Sequence, residues 1–435
     1  MIDITSPAPS ALPVVAVIKE GDTQDIAGLT SAMTVPGAMR DYVENSNSGD
    51  NAFFVCDLAH LASQHALWRK LLPRVEPFYA VKCNPNRAVL STLERLGLGF
   101  DCASQQEIET VLDMGVDPSR IIFANPCKQG THLQFAADRN VRLMTFDNAD
   151  ELDKVRRLYP HADLVLRIRI DDSKSLCRLG LKFGADPIEA PALLALARFL
   201  NLNVVGVSFH VGSGCYDAYA FTAAVRVAHG VFQMGESFGF SFTLLDIGGG
   251  FPGSPAAPIS FEDVCATLAP TIDELFPRHV RVIAEPGRFY VCAAFTLAVN
   301  IIARRTIPAP VRSKGTGGEG RLTSEKAFMY YVNDGVYGSF NNLIYDHAAV
   351  APRVLTRSGV FQPEGESAEC VPSSPCSVWG PTCDSIDCVN TEVQLPELDV
   401  GDWLYYDDMG AYTMCAASEF NGFKKTRVIF ANMVN

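Results

Sequence analysis

The chain has 435 residues, of which 48% are hydrophobic and 20% are charged, and its formal net charge is −13. This length exceeds what one hydrophobic core usually supports, so the sequence predicts two globular domains. The negative charge argues against nucleic acid and anionic membranes as partners, and no apolar run is long enough to span a bilayer.

Cysteine usage and the N-terminus predict a reducing, cytosolic compartment. The 13 cysteines include no C-x-x-C pair, so we expect free thiols and neither a disulfide framework nor a metal site. Residues 1–10 lack the basic start of a signal peptide. Residues 1–50 hold one expected strand, Leu12 to Ile18, and we expect this segment to pack on the C-terminal domain and to contribute that strand to it.

Residues 51–295 carry a regular alternation of short apolar runs and helix-like stretches. After an initial run at residues 52–58, eight runs recur at even spacing, which is typical of a (β/α)₈ barrel and rare in an open parallel sheet. Ser104 and Glu107 predict a capping box for one of the intervening helices. The eight predicted strands are Phe78–Lys82, Leu98–Cys102, Ile121–Asn125, Leu143–Asp147, Leu164–Arg169, Val204–His210, Leu244–Gly248 and Arg281–Glu285.

The residues at the ends of these strands would share one mouth of the barrel, where such enzymes keep their active sites. The first of them is Lys82, which follows the apolar run Phe78–Val81 and precedes an Asn-Pro turn. Taken alone, Lys82 is either a solvated charge or an amine that forms a Schiff base. The predicted end residues are Lys82, Asp101, Asn125, Asp147, Arg167, His210, Gly248 and Glu285.

Two late loops predict a phosphate site at the same mouth. Gly248, Gly249 and Gly250 allow backbone N–H groups to converge on an anion, and Arg288 follows the eighth strand. Ser213, three residues after His210, offers a further donor. An amine, a flat imidazole, a carboxylate and a phosphate cradle are together the set that pyridoxal phosphate requires.

Residues 296–435 lose the strand–helix alternation and predict a β-sandwich or β-barrel domain. Short β-favouring segments separated by turns include residues 328–332, 378–379, 403–406 and 426–430. Two segments rich in Gly, Pro and Ser, residues 307–325 and 357–376, are expected to be surface loops. The first contains a formal G-x-G-x-x-G match at residues 315–320, to which we assign no function because no strand leads directly into it.

Ten motifs spread over residues 52–423 resemble the ornithine decarboxylase family of fold-type III, alanine-racemase-like pyridoxal-phosphate enzymes, with a texture similar to fungal members. The resemblance implies a homodimeric decarboxylase that converts L-ornithine, a diamino acid, to putrescine and CO₂ in polyamine biosynthesis. The motifs are FYAVKCNP, FDCAS, FANPCK, SFHVGSG, DIGGGFPG, AEPGR, YVNDGVYGSFN, YDH, WGPTCDSID and VGDW…MGAYT…FNGF.

The resemblance assigns cofactor roles to residues of the barrel mouth. It implies that Lys82 is the Schiff-base lysine, that His210 stacks on the ring and that Glu285 pairs with the pyridine nitrogen. Asp101 matches the acid near the lysine, and Glu107 and Arg167 match residues lining the mouth, although Glu107 equally suits its capping role. The implied phosphate ligands are Ser213, Gly248, Gly249, Gly250, Arg288 and Tyr412.

The resemblance also assigns catalytic and interface roles to the C-terminal domain. A loop with Cys383 and Asp384 is expected to enter the partner's active site, where Cys383 protonates the carbon that has lost CO₂. Asp384 and Asp346, beside the substrate-facing Tyr345, are expected to bind the distal ammonium, because a buried ammonium requires counter-charge. The implied dimer contacts are a salt bridge between Lys182 and Asp387 and packing at Gly410.

One departure keeps alternatives open. Asn342 stands where the family usually has cysteine, so the substrate could instead be lysine or an intermediate of specialised alkaloid metabolism. A catalytically inactive binding protein like the antizyme inhibitors is a second alternative, which the retained Lys82, His210, Cys383 and Asp384 disfavour. The chain ends soon after residue 423, without the long tail of animal members, so control by antizyme has no support in the sequence.

Overall fold

The structure is a computed structural model that describes residues 33–45, 49–308, 326–363 and 372–431. The strand expected at residues 12–18 and the glycine-rich match at 315–320 lie outside the described residues. Among the described residues, no helix is both long and apolar enough to cross a bilayer.

Eight parallel strands close into the predicted barrel. Each predicted run contributes one strand, and consecutive strands are neighbours around the barrel until the last pairs with the first. The strands are buried on both faces, which explains why they read as continuous apolar runs. Their bounds are Val75–Ala80, Gly99–Cys102, Ile121–Phe123, Leu143–Phe146, Asp163–Arg167, Asn203–Ser208, Leu244–Asp246 and Arg281–Ala284.

The barrel interior is a packed apolar core that leaves only the two ends for polar groups. Five buried side chains from five different strands meet there: Phe78, Ile122, Val165, Leu244 and Ile283. Because the interior is filled, the predicted site residues gather above it, at the carboxyl ends of the strands.

Helices alternate with the barrel strands and pack around them. The helix after residue 104 begins at an N-cap, where the Ser104 hydroxyl accepts a hydrogen bond from the Glu107 N–H at 3.3 Å. The Glu107 carboxylate accepts from the Ala103 N–H at 2.6 Å rather than from Ser104, so only half of the predicted capping box forms. The barrel helices are Leu58–Leu71, Arg87–Arg95, Gln105–Leu112, Gly130–Asp138, Ala149–Leu158, Ala190–Phe199, Ala218–Ser237, Phe261–Leu275 and Arg288–Val291.

A second, mixed sheet of eight strands is built around one long strand, Phe295–Pro308. The first half of this strand pairs with Phe53–Asp57 and Trp403–Tyr406, and its second half pairs with Lys326–Val332, so the strands form one connected sheet. The second domain is therefore β-rich, as predicted. The predicted loop at residues 357–376 is partly wrong, because it contains strand residues. The other strands of this sheet are Phe53–Asp57, Lys326–Val332, Arg353–Val354, Ser373–Trp379, Cys388–Pro396, Trp403–Tyr406 and Arg427–Ala431.

Smaller elements complete the described chain. The pair Thr356–Arg357 and Val360–Phe361 and the pair Ser175–Cys177 and Ser213–Cys215 form two-stranded sheets. The remaining α-helices are Val35–Asn45 and Asn342–Tyr345, and single 3₁₀ turns lie at Val81–Cys83, Pro118–Arg120, Ser339–Asn341 and Phe420–Gly422.

The strand Phe53–Asp57 belongs to the second sheet, although it lies within the range 51–295 predicted for the barrel domain. It pairs antiparallel with residues 295–298 and parallel with Arg427–Ala431, so it belongs to the second sheet and the barrel begins after it. The helix Val35–Asn45 packs on the same sheet, where the rings of Tyr42 and Phe53 lie 4.0 Å apart. The described part of the N-terminal segment therefore packs on the second sheet.

Candidate active site

Lys82 lies in a single helical turn directly after the first barrel strand. Its Nζ forms an ion pair with Asp101, a buried carboxylate near the end of the next strand. Burial lowers the pKa of Lys82, but Asp101 and Glu285 outweigh that effect, so its pKa lies above the ordinary lysine value. Lys82 is therefore an anchored ammonium at the barrel mouth and not a freely solvated charge, while 41% of its side chain is still accessible.

His210 presents a neutral imidazole beside this pair. Burial, with the positive charges of Arg167 and Lys82, holds its pKa well below the ordinary histidine value. Its Nδ1 accepts a hydrogen bond from the Gly212 N–H at 2.9 Å, which leaves the ring proton on Nε2. A flat, uncharged ring with fixed orientation suits stacking on an aromatic cofactor.

Glu285 follows the eighth barrel strand and lies near a second carboxyl group, that of Asp246. Its N–H donates to the Gly248 carbonyl oxygen at 2.7 Å, and Asp246 at the end of the neighbouring strand accepts from the Gly248 N–H at 2.9 Å. Burial raises the pKa of Asp246 to about 7. Burial and the nearby Asp246 and Asp101 raise the pKa of Glu285 well above its ordinary value.

The three adjacent glycines form a loop in which no side chain would fit. A Cβ at Gly248, whose φ is +62°, would lie 2.2 Å from a carbonyl oxygen, and one at Gly250, with φ of +102°, would lie 2.5 Å from another. A Cβ at Gly249 would lie 2.7 Å from the Glu285 carbonyl oxygen and 3.0 Å from His210 Nε2. Glycine is required here because backbone approaches backbone from both sides.

Arg288 connects the predicted phosphate ligands to the predicted substrate ligand. Its Nη2 donates to Ser213 Oγ at 2.9 Å and to Asp346 Oδ1 at 2.7 Å, and its guanidinium lies 5.2 Å from the ring centroid of Tyr412. Its Nε is buried and has no hydrogen-bond partner among the described residues. A guanidinium with an unused donor, a hydroxyl and a glycine loop fit the phosphate of pyridoxal phosphate.

Cys383 and Asp384 lie on an exposed loop of the second domain. Asp384 Oδ2 accepts a hydrogen bond from the Tyr337 hydroxyl at 2.5 Å, and Oδ1 accepts from the Ile386 N–H at 3.0 Å. These bonds lower the pKa of Asp384. The hydrogen bonds that the described residues give this pair stay within the second domain.

Known proteins similar to this chain are pyridoxal-dependent decarboxylases and their relatives. Residues 58–292 match the family described as "Pyridoxal-dependent decarboxylase, pyridoxal binding domain". An ornithine decarboxylase of Mus pahari is 51% identical over 390 residues, 89% of this chain and 82% of that protein. The chain belongs to the ornithine decarboxylase family of pyridoxal-dependent decarboxylases. The likeness to fungal members is confirmed by an ornithine decarboxylase of Neurospora crassa, 49% identical over 91% of this chain and 84% of that protein.

Two further relatives show the breadth of this decarboxylase family. Antizyme inhibitor 2 of Xenopus laevis is 50% identical over 88% of this chain and 81% of that protein. The crystal structure of an arginine decarboxylase from Paramecium bursaria Chlorella virus superposes with a TM-score of 0.81 at 34% identity, covering 91% of this chain and all of the viral one. The predicted architecture of a barrel followed by a β-rich domain is confirmed.

The structure brings together most of the predicted site residues of this family member. One group surrounds Lys82, and a second surrounds Arg288. Tyr345 is 69% exposed and belongs to neither group. Cys383 and Asp384 are also exposed and belong to neither group. The residues brought together are Lys82, Asp101, Arg167, His210 and Glu285 in the first group, and Ser213, Arg288, Asp346 and Tyr412 in the second.

Asp387, predicted to form a salt bridge with a partner's Lys182, is also bound by residues of its own chain. It is buried, and its oxygens accept from the Val336 N–H at 2.8 Å and from the N–H and hydroxyl of Thr382 at 3.0 and 2.7 Å. A Cβ at Gly380 would lie 2.2 Å from the Asp387 carboxylate. In this structure Asp387 orders the loop that carries Cys383.

Gly410, predicted to take part in dimer packing, also has close contacts within its own chain. It is buried, and a Cβ there would lie 1.7 Å from the Val291 carbonyl oxygen. Its N–H donates to the Cys292 carbonyl oxygen at 3.0 Å, and its own carbonyl accepts from Asn84 Nδ2 at 2.9 Å. Gly410 therefore joins the second domain to the barrel of the same chain.

Sequence reasoning missed two residues of this decarboxylase. The first is Asp246, which lies near Glu285. Its position at the end of an apolar strand, just before the glycine loop, could have indicated a place at the barrel mouth. Tyr337 donates to Asp384 from a segment already recognised as a motif, but a tyrosine in a turn gives no sign of its distant partner.

Proposed function

We infer that this chain catalyses the pyridoxal-phosphate-dependent decarboxylation of L-ornithine to putrescine and CO₂, a step of polyamine biosynthesis. The observation that carries this inference is the cluster of Lys82, Asp101, His210 and Glu285 at the barrel mouth of a chain about half identical to ornithine decarboxylases. A cytosolic location is part of the same proposal.

The chain's own residues would hold the cofactor at both ends. Lys82 would bind it through Nζ, His210 would stack on its ring and Glu285 would face its ring nitrogen. Arg288 and the glycine loop would bind its phosphate, supported by the unused donor at Arg288 Nε. When bound, pyridoxal phosphate supplies an electron sink for the electron pair left when CO₂ departs.

Asp346 supports a substrate with a second amine. Its carboxylate is buried and ion-paired with Arg288. A buried carboxylate is a suitable partner for the distal ammonium of ornithine, and Arg288 can transfer its pairing to the cofactor phosphate. We propose that Asp346, with Asp384 of a second chain, binds that ammonium.

The exposed loop supports an active site shared between two chains. In the proposed homodimer, the Cys383 thiol of one chain donates its proton to the substrate carbon that has lost CO₂ in the other. Mixing Lys82→Ala with Cys383→Ala chains tests this, since half of randomly formed dimers would hold one intact site and activity would return to about a quarter of wild type. No recovery from the mixture, with dimer exchange verified, would contradict the shared site.

Release of CO₂ from ornithine, lysine, arginine and diaminopimelate tests the substrate assignment. We expect ornithine to give the highest kcat/KM. Preferential turnover of lysine would favour the lysine alternative, and turnover of none of them with cofactor bound would favour an amino acid of specialised metabolism. The similarity to antizyme inhibitor 2 makes an inactive binding protein the second candidate. A chain that binds neither cofactor nor substrate would support it.

A further inference from the structure

Asp246 is a buried carboxyl group for which neither the barrel core nor the proposed mechanism gives a role. It is fully buried at the end of the seventh barrel strand. One oxygen, Oδ1, accepts the Gly248 N–H, whereas Oδ2 is buried and receives no hydrogen bond from an N–H or O–H donor of the described residues. A buried carboxylate oxygen without a donor is costly, so an unassigned proton is expected nearby.

Glu285 is the group that can share this proton. Asp246 and Glu285 each shift the pKa of the other, the eighth strand that precedes Glu285 pairs with the strand of Asp246, and the Glu285 N–H donates to the Gly248 carbonyl oxygen two residues after Asp246. Two carboxyl groups in contact bind to each other only when at least one of them is protonated. We propose that Asp246 and Glu285 form a carboxyl dyad in which Asp246 holds the proton and thereby keeps Glu285 ionised toward the cofactor's ring nitrogen.

The charges around the dyad favour a single negative charge. Asp101 opposes ionisation of both carboxyls, whereas Arg167 favours it, and Lys82 favours ionisation of Glu285. His210 adds no charge, because its pKa is lowered and the ring is neutral. Burial raises the pKa of Asp246 to about 7, and burial together with the neighbouring Asp246 raises that of Glu285 well above its usual value, so the pair favours holding one proton at neutral pH.

The location of that proton then depends on what Glu285 faces. A cationic ring nitrogen attracts the negative charge to Glu285, and the proton passes to Asp246, whose O–H then donates to the Glu285 carboxylate. Asp246 acts through Glu285 and does not touch the cofactor, so it is a positioning residue. This inference rests on the proposed place of Glu285 at the ring nitrogen.

The substitution Asp246→Asn removes the titratable proton and keeps the size of the side chain. Asparagine keeps an oxygen for the Gly248 N–H and offers an N–H that imitates protonated Asp246 toward Glu285. We expect the variant to retain cofactor with a dissociation constant within about threefold of wild type, whereas Asp246→Ala, which loses both hydrogen bonds, should weaken binding about tenfold or more.

Infrared spectroscopy of the cofactor-bound protein at pH 8 tests the proton itself. We expect wild type to show a carbonyl band of a protonated carboxylic acid that is absent from Asp246→Asn. Asp334→Asn, which alters a buried carboxyl of the second domain, is the matched control and should keep the band. Absence of the band from wild type, or its persistence in Asp246→Asn, would overturn the dyad. Either result is independent of which amino acid is decarboxylated.

Discussion

Gly410→Ala distinguishes packing within one chain from packing between two. The new Cβ would lie 1.7 Å from the Val291 carbonyl oxygen, so the two backbones must separate by about 1.3 Å to restore even a 3.0 Å contact. Both hydrogen bonds of Gly410, to Cys292 and from Asn84, oppose that movement. We expect a loss of about 3 kcal/mol in the free energy of unfolding, the upper end of the cost of overpacking.

Urea unfolding at several protein concentrations, with sedimentation to follow the oligomeric state, measures this effect. Because the clash lies inside one chain, the midpoint should fall by the same amount at each concentration. Gly230→Ala is the control, since a Cβ at this helical position meets nothing within 4 Å and alanine should stabilise by about 0.5–1 kcal/mol. An unchanged unfolding midpoint in chains that remain folded but dissociate would refute the intrachain account.

Three further substitutions test the site. Gly249→Ala places a Cβ 2.7 Å from the Glu285 carbonyl oxygen, so we expect the visible absorbance of bound cofactor to be lost. Unaltered absorbance would contradict the role of the glycine loop in cofactor binding. Because burial lowers the pKa of His210, the unfolded chain binds its proton first as pH falls through about 6.5, and native stability should decline from pH 7 to 5. His210→Gln should reduce that decline in urea midpoints, and an equal decline would exclude His210 as its source. Tyr337→Phe frees Asp384, so KM should rise about threefold with cofactor affinity unchanged; an unchanged KM would show that this bond does not position Asp384.

The barrel could be predicted because its signals are local. Each buried parallel strand is a continuous apolar run, and each run ends where a polar residue enters the mouth. Lys82, Asp101, His210 and Glu285 could therefore be placed together before any contact was known, since the carboxyl ends of parallel strands meet at one edge.

The remaining features depend on partners distant in sequence. Phe53–Asp57 reads like a barrel strand, because its burial and the helix after it are the same, and only its pairing with Phe295–Pro308 assigns it to the other sheet. The local sequence does not show that Asp387 is buried, because that burial depends on Gly335 and Gly380, which leave space for its carboxylate. The proposed pairing of Asp246 with Glu285 joins residues 39 positions apart at the ends of neighbouring strands.

The most direct test of the proposed activity compares wild type with Lys82→Ala in CO₂ release from ornithine, with the visible spectrum recorded on the same samples. Wild type should bind pyridoxal phosphate, show its visible absorbance and release CO₂ in equal amount to the putrescine formed. Lys82→Ala should fold, lose the band and release no CO₂ above background. A wild-type chain without cofactor, or a Lys82→Ala chain with full activity, would contradict the account.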